Sequence, residues 1–227
     1  MYRWLEIHSS CRSILVGGLT TVLFAVGCTG STETMSTGQT ANDSYSSYGS
    51  SDANISFIDE VETNANLDKG VFDLKFMDRN GKEVNLREFQ GKKNVVLVVT
   101  RGFAKFFCPF CSAQTSRLVR NHDEFEKRNA EVIVVFPGDT SKVGEFSEIV
   151  GEQSGKSPAE LPLAIVMDEK LAAVNQLSIQ GDLAKPSTFI LDVDGNVRFA
   201  YVGRSASDRP SLKAMFSKLD MINESAL

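Results

Sequence analysis

Val95-Val96-Leu97-Val98-Val99 is followed, nine positions after its last residue, by Cys108-Pro109-Phe110-Cys111, and a helical pattern of apolar residues begins directly after that. Five consecutive apolar β-formers need apolar cover on both faces, so the run predicts a central strand of a parallel sheet. Residues 112–128 carry Leu118, Val119, His122 and Phe125 near one face at helical spacing, which predicts a helix. The cysteine pair therefore sits where a buried strand hands over to a helix. Free backbone N–H groups and the helix macrodipole stabilise an anion at such a place, which favours a thiolate. Pro109 suits the first helical position because its missing N–H would find no partner there. Cys108 is thus expected to be the attacking thiolate. Cys111, three residues on and on the same helical face, is expected to resolve the mixed disulfide.

Reading outward from this stretch, residues 132–136 form a second buried strand stopped by Pro137-Gly138. Helices are expected over 143–150 and 170–177, with a short strand over 163–167 between them. Strands over 188–191 and 197–202 flank Asp194-Gly195, a hairpin signal, and a closing helix over 211–219 puts Leu212, Met215, Phe216 and Leu219 on one face. Toward the N-terminus, residues 71–77 alternate apolar and polar as a half-buried strand does. Asn80-Gly81 then makes a tight turn into a returning strand over 82–86, and a short helical turn over 86–89 is closed by Gly91. The order predicts an α/β fold, a central mixed sheet flanked by helices with an N-terminal β-hairpin.

The first 27 residues read as an address. Arg3 and Arg12 accompany an uncharged apolar run over 14–26, which is shorter than the roughly 20 residues that span a bilayer. The run ends in Ala25-Val26-Gly27-Cys28, which resembles a bacterial lipobox, with Ala25 where leucine is usual. The expectation is a lipoprotein-type signal peptide over 1–27, lipidation at Cys28, a disordered polar tether over 28–66 and a folded domain over 67–227. The protein is then extracytoplasmic and lipid-anchored, at a periplasmic face or cell surface.

Composition removes other classes. A net charge of -5 offers no basic face for nucleic acid. Zinc needs four ligands, and the domain offers only Cys108, Cys111 and His122. A purely structural bridge across so short a loop would constrain little chain. Redox cycling of the pair is the favoured reading, with no metal and no cofactor expected. A redox-inert binding module, or capture of copper(I) by two soft thiolates, is the reading from another class. Arg101 and Lys105 could favour the thiolate or be solvated charges. Phe103, Phe106 and Phe107 could form an apolar rim for a partner or pack the loop. His122, mid-helix, reads as a structural residue, and Asp192, Asp194 and Gly195 read as a hairpin rather than a calcium loop, since no glutamate follows at the needed offset.

From about residue 71 to 219 the chain resembles the thioredoxin-like superfamily, with the redoxin or AhpC/TSA (peroxiredoxin-like) branch closest. The match is carried by Arg101-Gly102, Cys108-Pro109-Phe110-Cys111 with Gln114, the run from Ala184 through Lys185, Pro186, Ser187 and Thr188 to Asp192, and Asp194-Gly195-Asn196-Val197. The resemblance implies a thioredoxin-like fold in which Pro186 is the cis-proline opposite the cysteines. It also implies that backbone beside Pro186 docks an extended substrate, with Lys185, Phe107 and Arg101 as further candidates for substrate contact. Implied partners are protein dithiols or disulfides or a hydroperoxide, together with an upstream thiol reductant. Two departures stand out. Counted back from Cys108, the Pro-x-x-x-Thr/Ser-x-x-Cys loop of peroxiredoxins would need proline and a hydroxyl where Arg101 and Lys105 stand. The arginine that peroxiredoxins place just before the Ser-Thr-Phe strand is replaced by Pro186. A membrane-tethered thiol–disulfide oxidoreductase is therefore the first expectation, and a thiol peroxidase the second.

Overall fold

Strand β3 (Asn94–Val99) is buried at every residue and lies inside a seven-stranded sheet, because both of its faces carry apolar side chains. The computed structural model of the protein describes residues 54–65 and 70–225. The expected signal peptide, Cys28 and the greater part of the expected tether lie outside the described residues. In chain order the remaining strands are β1 (Lys75–Asp78), β2 (Glu83–Asn85), β4 (Ala130–Phe136), β5 (Ala164–Met167), β6 (Ser187–Leu191) and β7 (Val197–Val202). The helices are α1 (Pro109–Arg120), α2 (His122–Glu126), α3 (Thr140–Ser154), α4 (Ala172–Gln176) and α5 (Leu212–Glu224).

The sheet order is β2-β1-β5-β4-β3-β6-β7. Strands β3, β4 and β5 are parallel, while the β1–β2 and β6–β7 hairpins pair antiparallel at its two sides, so the sheet is mixed as expected. Alternation along β3 divides the core. Val96 and Val98 join Leu118, Val119, Phe125, Phe146 and Leu219 on the face covered by α1, α2, α3 and α5. Val95, Leu97 and Val99 join Val71, Leu86, Val174 and Ile179 on the other. Each of these buried aliphatic side chains contributes roughly 1.5–3 kcal/mol by leaving water.

Two local expectations shift. The strand expected over 71–77 begins as a 3-10 turn (Val71–Asp73), because left-handed Gly70 turns the chain and its carbonyl accepts from Asp73 N. The helix expected to open at Pro109 and run to residue 128 breaks at Asn121. There the Asn121 side chain donates to the Arg117 carbonyl at 2.9 Å, competing with helix continuation.

The larger difference concerns residues 54–65, which fall within the stretch read as tether and instead line the domain. Ile58 N donates to the Arg209 carbonyl and Ser211 N to the Ile58 carbonyl, both at 2.9 Å. Val61 is buried, and Asn64 exchanges hydrogen bonds with Val202 on the outer strand β7. Arg117 of α1 donates to the Ile55 carbonyl and lies over the Phe57 ring. Four apolar residues at the end of a polar run suffice to fix this strap once edge-strand and helix-surface partners are available.

Candidate active site

The carboxyl end of β3 delivers the chain into the loop that carries the cysteines, and neighbouring elements bring three further pieces to the same end. Gly102 makes the first turn in left-handed backbone (φ 80°), and a Cβ there would lie 2.4 Å from the Pro137 carbonyl oxygen, so the loop after β3 runs tight against the loop after β4. Strand β6 pairs antiparallel with β3, Ser187 opposite Val99, which places Pro186 at this end of the sheet. Gly203 follows β7, and a Cβ on it would lie 2.1 Å from the Asp208 carbonyl oxygen and 3.0 Å from Pro186 Cγ. The 203–209 loop is thereby folded directly onto Pro186.

Cys108 is the residue capping α1, in extended backbone (φ −67°, ψ 119°), with Pro109 in the first turn. Its carbonyl accepts from Cys111 N at 2.9 Å and Ser112 N at 3.2 Å. Both cysteines are free thiols and both are buried, Cys108 at 5% and Cys111 at 2% exposure. The Cys108 thiol is lowered from 9.0 to about 5. The hydrogen bond from the Cys111 side chain is the largest cause. Burial opposes it, and the Cys111 and Phe110 backbone N–H groups and the charge of Arg209 add to the lowering. Cys111 is pushed up, first by burial and then by the hydrogen bond its thiol donates to Cys108. The reduced pair is therefore a thiolate and a thiol that share one proton, with the negative charge on Cys108.

Cys111 is also held from outside the helix. Arg101 N donates to its sulfur at 3.3 Å, and Arg209 Nη2 donates at 3.0 Å. Arg101 thus acts here through its backbone. Arg209, 1% exposed, also donates to Gln114 Oε1 at 2.6 Å and to the Ala206 carbonyl at 2.7 Å. The loop that delivers it is folded by Asp208, whose carboxylate accepts from Tyr201 Oη at 2.5 Å and from Arg204 N at 2.8 Å. Burial first, and then this carboxylate, push Tyr201 up to about 12, so it remains a donor at neutral pH. Gln114 Nε2 and Thr115 Oγ1, one turn along α1, are buried without a partner among the described residues.

Of the other residues singled out in the sequence, Phe107 sits against Phe103, Phe136 and Phe146, with ring centroids at 4.8, 6.0 and 6.1 Å, and Phe106 stands 71% exposed at the loop tip. Lys185 is exposed, and its carbonyl accepts from Ser187 Oγ. His122 opens α2 beyond the far end of α1, about 18 Å along the 12-residue helix from the cysteines. Asp192 accepts from Asp194 N and Asn196 N and organises the β6–β7 hairpin, as the turn reading required. Arg209 was not among the expected site residues. It lies in a Ser- and Asp-rich loop 98 residues from Cys111, where an arginine reads as a solvated charge.

Comparison with known proteins agrees with this architecture. Residues 68–200 match the AhpC/TSA family. Chloroplastic peroxiredoxin Q of Suaeda salsa is 31% identical over 135 residues, covering 58% of this chain and 56% of that protein. Peroxiredoxin Bcp of Escherichia coli is 23% identical over 133 residues, covering 55% of this chain and 77% of that protein. The chain thus spans little more than half the length of the peroxiredoxin Q it matches. Among solved structures, a variant of peroxiredoxin 6 from Arenicola marina superposes with a TM-score of 0.60 at 18% identity, covering 74% of this chain and 76% of that one. This likeness establishes the fold.

Proposed function

The chain belongs to the AhpC/TSA family, and on that premise we propose that it is a thiol-dependent peroxidase that works through a Cys108–Cys111 disulfide and is returned to the dithiol by a partner dithiol. The observation that carries the reading is the thiolate at Cys108, formed at the cap of α1 with the Cys111 thiol as its hydrogen-bond donor. The Cys108 thiolate attacks the outer oxygen of a hydroperoxide. The O–O bond breaks, a proton joins the departing alkoxide to give the alcohol, and Cys108 becomes a sulfenic acid. The Cys111 thiol then displaces hydroxide from that sulfur, forming the disulfide and water. A partner dithiol reduces the disulfide by exchange, becoming oxidised itself and regenerating one thiolate, one thiol and a proton.

A second reading, exchange between this pair and protein disulfides without peroxide chemistry, is supported by Lys105 standing where a peroxide-binding hydroxyl would be when the loop is counted from Cys108. Stopped-flow oxidation of the reduced full chain by hydrogen peroxide and by an organic hydroperoxide separates the two. A fast phase that disappears in Cys108→Ser supports the peroxidase. A rate equal to that of an ordinary free thiol, together with rapid exchange with a protein disulfide, replaces it with the second reading. The apolar run before Cys28 supports placing this chemistry outside the cytoplasm on a lipid anchor. Incorporation of a labelled fatty acid that is lost in Cys28→Ser is the expected result, and equal labelling of both removes the anchor from the proposal.

A further inference from the structure

Among the described residues Arg209 is the most deeply buried charged side chain, at 1% exposure, and none of its partners there is a carboxylate. Its guanidinium meets two neutral oxygens, of Gln114 and Ala206, and one sulfur, of Cys111. Arginine stays protonated in proteins. A buried charge without a counter-charge costs several kcal/mol, so the molecule needs an anion here, and the cysteine pair is the group that can supply one.

The supply depends on redox state. The dithiol form carries one thiolate, linked to Arg209 through the Cys111 sulfur. The disulfide is neutral. Oxidation therefore removes the anion and leaves the cation in place, held by dipoles alone. Exit to solvent is opposed by the fold: the Arg209 carbonyl is tied to Ile58, Ser211 N returns to Ile58, and Asp208 is bonded to Tyr201 and Arg204.

We propose that Arg209 is the fixed counter-ion of the Cys108–Cys111 pair, and that its isolation in the disulfide form raises the reduction potential and makes the protein an acceptor of electrons from partner dithiols. The half-reaction takes two electrons and one proton into the disulfide to give one thiolate and one thiol. The electrons come from a partner dithiol, which leaves as a disulfide and releases a second proton. Stabilising the reduced form of a C-x-x-C pair is what makes such a pair oxidising. Arg209 acts on the reacting sulfur of Cys108 through Cys111, and so is a positioning residue.

The inference rests on the pair cycling between dithiol and disulfide. The experiment equilibrates the full chain with glutathione buffers, traps free thiols by alkylation and reads the peptide bearing both cysteines by mass spectrometry. Cys11 and Cys28 then do not enter the result. Arg209→Met is expected to shift the equilibrium toward the disulfide by at least tenfold, about 30 mV lower in potential, with Arg209→Lys restoring most of the difference. The thiolate absorbance of Arg209→Met should also titrate at higher pH than that of the parent. An unchanged equilibrium in a folded Arg209→Met variant, or a shift toward the dithiol, overturns the proposal. Linkage gives a second check: Arg209→Met should lower the urea resistance of the reduced form more than that of the disulfide form, with Arg209→Lys between variant and parent, and the reverse order also overturns the proposal. Absence of any Cys108–Cys111 disulfide would instead defeat the cycle proposed above, which separates the two failures.

Discussion

Two arginines show how differently the two ends of the helical layer use the same side chain. Arg128, beyond α2, is 21% exposed, bonded to Glu124 and Asp220 and laid over the Phe216 ring at 4.5 Å. Its charge is matched by carboxylates, and these hydrogen bonds raise its affinity for the proton despite partial burial. Arg209, near the start of α1, is more deeply buried and meets no carboxylate among the described residues, only two neutral oxygens and a sulfur whose partner can become an anion. The first arrangement is indifferent to redox state. The second is coupled to it, because the compensating charge belongs to the reacting group.

The contrast is broken most severely at Cys108. Cys108→Ser should abolish disulfide formation at the pair and lower peroxide consumption by at least about 10³-fold, as expected when a covalent nucleophile is removed. Retention of more than a tenth of the parent rate would mean that Cys111 can serve as nucleophile. Next in size is Gly203→Ala. A Cβ meeting backbone oxygen at 2.1 Å should force the 203–209 loop outward and cost about 1–3 kcal/mol in urea unfolding. It should also move the glutathione equilibrium in the direction of Arg209→Met. A destabilised variant with an unchanged equilibrium would show that the loop positions nothing.

Smaller, and read as a profile, is the pH dependence. Cys108 is depressed in the folded state to about 5 from an ordinary value of 9.0, so its charge adds stability that is complete above pH 9 and lost as pH falls toward 5. Alkylation of Cys108 should accordingly show a midpoint near pH 5, and a midpoint above 8 would remove the thiolate from the site. Smallest is Arg128→Met, which should cost about 1 kcal/mol through its ion pairs and ring contact. It should leave the thiol equilibrium within about twofold. A larger redox effect would erase the distinction between the two arginines.

What could be read without coordinates follows the range of the interactions. The all-apolar run of β3, the two Gly-containing hairpins and the C-x-x-C at a helix start are local signals, and each formed where expected apart from the opening turn of the first hairpin's leading strand. Pro186 was placed by resemblance and lies at the end of the sheet that the β3–β6 register dictates. The break at Asn121 escaped notice because asparagine within an apolar helical pattern signals only a weak preference. Arg209 escaped because its role exists only across a separation of 98 residues. The strap escaped because composition averages over a stretch, and its four apolar side chains were outweighed by polar neighbours.

That strap has a practical side. The boundary suggested by composition, residue 67, is where one would naturally trim the protein for expression. A version so trimmed would lose Ile58, the residue whose backbone holds both Arg209 and Ser211, and Asn64, which pairs with β7. Redox measurements on it would report a centre whose cation had lost a backbone tether. Trimming ahead of residue 54 keeps the strap, and with it the protein whose potential is worth measuring.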